Sequence, residues 1–146
     1  MMGRTSLALG LAVCLAGPAL LGASPEHDYV LHCAGCHRFD GSGSDRVPAL
    51  DEIGDVLAHD GGRQYLSRVP GAAQAPLTDA RLAALLNWLV ERFAGAPPVP
   101  VYSAAEVGEL RSAPLRDPRH TRACILDAVG CVSPSGDSVR GITRSP

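Results

Sequence analysis

The residues best equipped for chemistry lie together in "HCAGCHRFDGSG", residues 32–43. Cys33, Cys36 and His37 form the pattern C-x-x-C-H, two thiols and an imidazole within five residues. In covalent haem attachment the two thiols add to the vinyl groups of the porphyrin, and the histidine directly after the second cysteine ligates iron. The spacing is demanding, because a short peptide must cross the haem edge and present imidazole to one face. Zinc and dithiol chemistry use similar residues in other contexts. Structural zinc needs four ligands, usually as two close pairs, but Cys124 and Cys131 stand seven residues apart and far from the first pair. A redox dithiol needs a preceding strand and a βαβ setting, whereas a helix is expected before Cys33. The haem reading uses all three residues at once.

The chain around this motif begins like an exported protein. Arg4 precedes the apolar run "LALGLAVCLAGPALL", and small residues follow at "LGAS". This pattern predicts a secretory signal peptide over residues 1–24. The run is too short and too interrupted by Gly and Pro for a comfortable membrane span, so no span is expected once the signal is removed. A periplasmic location follows, where cysteines are paired or ligated. Loss of the leader takes Cys14 with it and leaves two pairs, Cys33 with Cys36 and Cys124 with Cys131. Spacing alone does not decide whether the second pair is bridged.

Composition bounds the rest. The chain has 146 residues, of which 46% are hydrophobic, and 13 basic residues, all arginine, face 15 acidic ones for a formal charge of −2. No basic stripe suggests nucleic acid and no charge run suggests a membrane surface. Residues 25–95 make one small domain, poor in aromatics, that would struggle to close a core alone. A large apolar cofactor would fill it.

The elements that must position the motif read as helices throughout, with no strand pattern. Ser24 caps a first helix opened by Pro25, with Glu26 and Asp28 in its first turn. Residues 38–48 read as loop, "GGRQYLSRV" as a short helix and "GAAQAPL" as another loop. The strongest periodicity lies at 79–94, where Leu82, Leu85, Leu86, Leu89 and Phe93 form one stripe after the cap Thr78. Gly95 and two prolines stop it. A linker and helical extension are expected over residues 96–132, with helices opened by Ser103 and by Asp117-Pro118. Residues 133–146 are expected to form a disordered tail.

Taken together, residues 25–94 resemble the small monohaem class I c-type cytochromes. Tyr29 stands four residues before Cys33, where that family has an aromatic on its first helix. Trp88 stands on the last helix of the domain, where the family has the partner aromatic. Pro48, 11 residues after His37, matches the proline whose carbonyl accepts the imidazole Nδ1–H in that family. The resemblance implies an all-α, class I cytochrome c-like domain carrying one covalent haem c, attached at Cys33 and Cys36, with iron on His37. It implies an electron carrier rather than an enzyme. "GGRQYLSRVPGAAQAPLTDARLAALLNWL" further resembles cytochromes that work beside periplasmic dehydrogenases. The implied partners are such a dehydrogenase as donor and an oxidase or another cytochrome as acceptor. Arg38, Arg46, Arg63 and Arg68 are the positive charges available for a docking rim.

The sequence departs from the family at the other face of the iron. Class I proteins usually supply methionine from the loop before the last helix, but here the only methionines are Met1 and Met2, both in the leader. That loop, "VPGAAQAPL", offers only Gln74. His59 is the leading nitrogen candidate for the distal position, with His27, His32 and His120 less suitably placed. An open sixth position, as in a haem enzyme or gas-binding sensor, is the alternative. A subunit whose residues 96–132 act as a docking arm is a further one.

Overall fold

A computed structural model of the chain describes residues 23–97 and 100–127. Most of the expected signal peptide, the tail from residue 133 and Cys131 lie outside the described residues. Those described fold into short helices without a strand, the one extended contact being an isolated bridge between Ser44 and Val47. The fold is therefore all-α. No described helix is long and apolar enough to cross a membrane.

Helix α1 (Pro25–His32) starts where the Ser24 side chain accepts from the His27 N–H at 3.2 Å, with Pro25 in the first turn. It buries Asp28 and Tyr29. One further turn, α2 (Ala34–His37), carries Cys36 and His37 and ends at Arg38, whose φ is 61°. The following loop doubles back on itself. Leu50 N–H donates to the Gly41 carbonyl at 2.8 Å, and Gly43 N–H to that of His37 at 3.1 Å. Gly43 has a φ of 68°, and a Cβ there would lie 2.3 Å from the Val47 carbonyl oxygen, so only glycine suits this corner.

A 3-10 turn (Leu50–Glu52) leads into α3 (Ile53–Leu57), neither of which the sequence reading anticipated. Elements this short do not hold in water by propensity. Burial of Leu50, Ile53 and Val56 holds them here. Helix α4 (Gly62–Arg68) follows, then a single turn, α5 (Pro70–Ala73), inside the stretch expected to be loop. Pro70 supplies the φ that a first helical turn requires.

Helix α6 (Asp79–Ala94) is the long element predicted from periodicity, capped by Thr78 and closed by Gly95 at φ 78°. It buries Leu82, Ala83, Leu85, Leu86, Leu89 and Val90. Helices α7 (Ala104–Arg111) and α8 (Pro118–Leu126) open on Ser103 and Asp117, each accepting the backbone N–H of the third residue of its helix. The C-terminal segment is built into the body. Tyr102 and Val107 belong to the same apolar core as α1 and α6, and Leu115 and Ile125 close a second cluster with Val56 and Tyr65.

Candidate functional site

Helix α1 and the turn after it present the motif. Cys33 caps α1 through its N–H to the Tyr29 carbonyl, and its own carbonyl accepts from Cys36 and His37. Both thiols are unbridged, Cys33 half-buried and Cys36 exposed. Burial above all, then the carboxylate of Asp28, pushes the Cys33 thiol up to about 11. A reactive dithiol depends on a depressed thiol pKa. Cys33 moves the other way.

His37 Nδ1 lies 3.1 Å from the carbonyl oxygen of Pro48. A carbonyl only accepts, so the proton resides on Nδ1 and Nε2 keeps its lone pair. Burial holds the imidazole below its usual pKa, against a smaller opposing effect of the Pro48 bond. Neutral imidazole with a free Nε2 is the form that ligates a metal.

The loop carrying Pro48 is itself fixed from two sides. The Tyr29 hydroxyl donates to the Arg38 carbonyl at 2.5 Å, gripping the residue directly after His37. The Tyr29 ring meets Trp88 at 5.6 Å between centroids and Phe93 at 5.9 Å, and Trp88 and Phe93 meet edge-on at 6.3 Å. Helices α1 and α6 thus touch through the two aromatics named from the sequence, with Phe93 as a third. Phe93 also reaches the loop, because a Cβ on Gly41 would lie 2.4 Å from its ring. Sequence reading placed Phe93 only in a core stripe, and no spacing rule pairs it with Gly41.

The residues weighed for the distal face are dispersed. His59 is half-buried in the turn between α3 and α4, its N–H donating to Val56 and its carbonyl accepting from Gly62. Gln74 is exposed, while Ala73, Ala75 and Leu77 around it are buried. His27 is exposed, and His32 is half-buried beside Cys33. His120 Nε2 stands 3.5 Å from Cys124 Sγ on α8. The arginines proposed as a rim do not form one unit. Arg63 pairs with Glu106, and Arg68 donates to the Ala113 carbonyl at 2.7 Å, so both turn to the C-terminal segment. Arg38 reaches Ser42 at 3.5 Å.

Among the described residues no three His, Cys, Asp or Glu side chains converge as a bare metal ion requires. Haem iron has four porphyrin nitrogens already and asks the protein for one or two axial ligands. No family model and no curated protein matches this chain.

Proposed function

We propose that the chain is an exported c-type cytochrome of the class I kind, an electron carrier with one covalent haem. The residues present fit that group. Two unbridged thiols stand one turn apart, at the N-cap of α2 and within it, and the adjacent imidazole offers a lone pair on Nε2. Leu57, Leu66, Ala72 and Trp88 border the core and are only partly buried, which leaves apolar surface for a porphyrin to cover. The observation that carries the reading is the His37 to Pro48 hydrogen bond, at 3.1 Å and across 11 residues, beside the thiol pair. An Nδ1–H bonded to a carbonyl fixes the ring and raises its basicity toward iron.

Bound haem would supply one-electron chemistry between its ferric and ferrous states. The protein's part is mechanical and electrostatic. Cys33 and Cys36 would tether it and His37 would ligate its iron, while Pro48 and Tyr29 hold His37 and its loop and the aromatic crossing of α1 and α6 keeps the motif in place. Periplasmic location, a dehydrogenase donor and an oxidase or cytochrome acceptor belong to this reading through the resemblance.

Visible spectra and intact mass of protein made in a host competent for haem attachment test it. Covalent haem with a sharp reduced α-band is expected, and unmodified polypeptide would refute the reading. His59→Ala then reports on the distal side, since an unchanged low-spin spectrum removes His59 as a ligand.

A second reading is an open sixth position that binds small neutral ligands, because the side chains weighed for that position, His59, Gln74 and His120, stand on different elements of the fold. Rapid carbon monoxide binding by the reduced protein favours this reading, and its absence favours the closed carrier.

A further inference from the structure

One side of helix α8 meets the chain that leads away from the motif. Arg119 Nη2 donates to the Arg46 carbonyl at 3.3 Å. One turn on, Arg122 Nη2 pairs with the Glu52 carboxylate. A turn further, Ile125 is buried in the same apolar cluster as Val56 of α3. Positions 119, 122 and 125 recur every third residue and lie on one side of the helix. They meet residues 46, 52 and 56 in the same order, so α8 runs alongside this segment.

Pro48 stands between the first two of these anchors, with its carbonyl oxygen 3.1 Å from His37 Nδ1. The backbone bonds nearest to it join Ser44 with Val47, at 2.8 and 3.1 Å, and Leu50 to Gly41, at 2.8 Å. Proline has no N–H to donate, and Pro48 is exposed. Its carbonyl is therefore placed by what holds the residues on either side. Arg119 and Arg122 do so from a different element, at Arg46 before it and Glu52 after it. A hydrogen bond weakens steeply as its distance and angle degrade, so a small swing of this segment is felt at the imidazole.

We propose that Arg119 and Arg122 are positioning residues for His37. By holding residues 46–52 against α8 they keep the Pro48 carbonyl on Nδ1. That keeps the ring proton on Nδ1 and the lone pair on Nε2. So far the claim concerns the imidazole alone. Its consequence for iron rests on the haem reading: a well-bonded ring donates more strongly and favours the ferric state.

The Arg122–Glu52 pair can be broken from either end, and the two variants change the charge in opposite directions. Midpoint potentials of wild type, Arg119→Gln, Arg122→Gln and Glu52→Gln test the proposal. Positioning predicts that all three variants rise, the ferric-to-ferrous ratio at a fixed potential falling about threefold. A through-space effect of charge would instead lower Arg122→Gln and raise Glu52→Gln, because a lost cation favours ferric iron and a lost anion ferrous. Opposite signs, or potentials equal to wild type, overturn the proposal.

Hydrogen exchange gives a second readout, independent of iron. The amides of Val47 and Leu50 should exchange about fivefold faster in each variant, with those of α1 unchanged. Equal exchange also overturns the proposal. Glu52 is 47% exposed, so Glu52→Gln with the exchange readout decides should an arginine variant not fold. Polypeptide without haem refutes the functional reading, and nitrogen NMR of the neutral His37 ring then takes the place of the potentials. The proton should reside on Nδ1 in wild type and be shared between both nitrogens in the variants; an unchanged tautomer overturns the positioning role.

Discussion

Tyr29 does two jobs that a substitution series separates. Its ring fills the α1–α6 crossing, and its hydroxyl holds the Arg38 carbonyl. Tyr29→Phe keeps the ring contacts and removes one hydrogen bond, which should cost about 1 kcal/mol. Tyr29→Ala removes the ring as well and should cost about 3–5 kcal/mol. Urea denaturation compares them, and equal losses would show that the hydroxyl dominates. Cys33, Cys36 and His37 were legible in the sequence as one closely spaced motif, and Tyr29, Pro48 and Trp88 were singled out by the resemblance. Phe93 against Gly41 was not, because that contact follows from how the loop folds over α6.

Two of the ion pairs that tie elements together differ in burial. Asp28 on α1 is 1% exposed and pairs with Arg81 on α6, whose side chain is 41% exposed. Removing Arg81 leaves a buried carboxylate alone, whereas Asp28→Asn leaves a guanidinium that can turn to water. Arg81→Ala should therefore be the more destabilising by about 2 kcal/mol, allowing for screening at the open arginine. Thermal melts of the two variants give the comparison; the reverse order would contradict it.

On the other side of α6, Arg63 grips Glu106 with two contacts, donates to the Pro100 carbonyl at 2.6 Å and lies 3.8 Å over the Tyr102 ring. The hydrogen bond from Arg63 holds the Glu106 carboxyl below its ordinary value. A depressed folded value means the unfolded chain takes up protons first on acidification. The stabilisation is thus complete above the ordinary value of 4.5 and disappears as pH falls through the folded value. With Glu106 at 30% exposure it should amount to about 0.5–1 kcal/mol. Wild type and Glu106→Gln should differ by that amount at neutral pH and converge as pH falls through the folded value, read by urea midpoints. A gap that stays constant with pH would rule out the charge as its source.

Over the whole molecule the question is whether residues after Gly95 form an appendage. Val107 is fully buried, Tyr102 is 3% exposed, and Leu115 and Ile125 are each 4% exposed. Each such side chain contributes about 1.5–3 kcal/mol by burial, against a total stability of about 5–15 kcal/mol for a small domain. Asn87 adds a two-way hydrogen bond with the Tyr102 backbone, at 2.7 and 3.0 Å. A chain ending at Gly95 should therefore melt tens of degrees lower or fail to fold, as circular dichroism would report. Melting unchanged from the full chain would make the segment a removable arm, as a docking role predicts.

What the sequence determined by itself is the helical class, the caps at Ser24, Thr78, Ser103 and Asp117, the stripe of α6 and the spacing of the thiol–imidazole motif. These depend on neighbours in the chain, where local periodicity and fixed spacing act. Tertiary structure alone decided three things: the short helix α3, held by burial rather than propensity; the absorption of residues 100–127 into the core; and the hydrogen bonds of the Arg111 guanidinium on α7 to the carbonyls of Ala73, Ala75 and Leu77. Each joins groups distant in the chain, so no local pattern announces it.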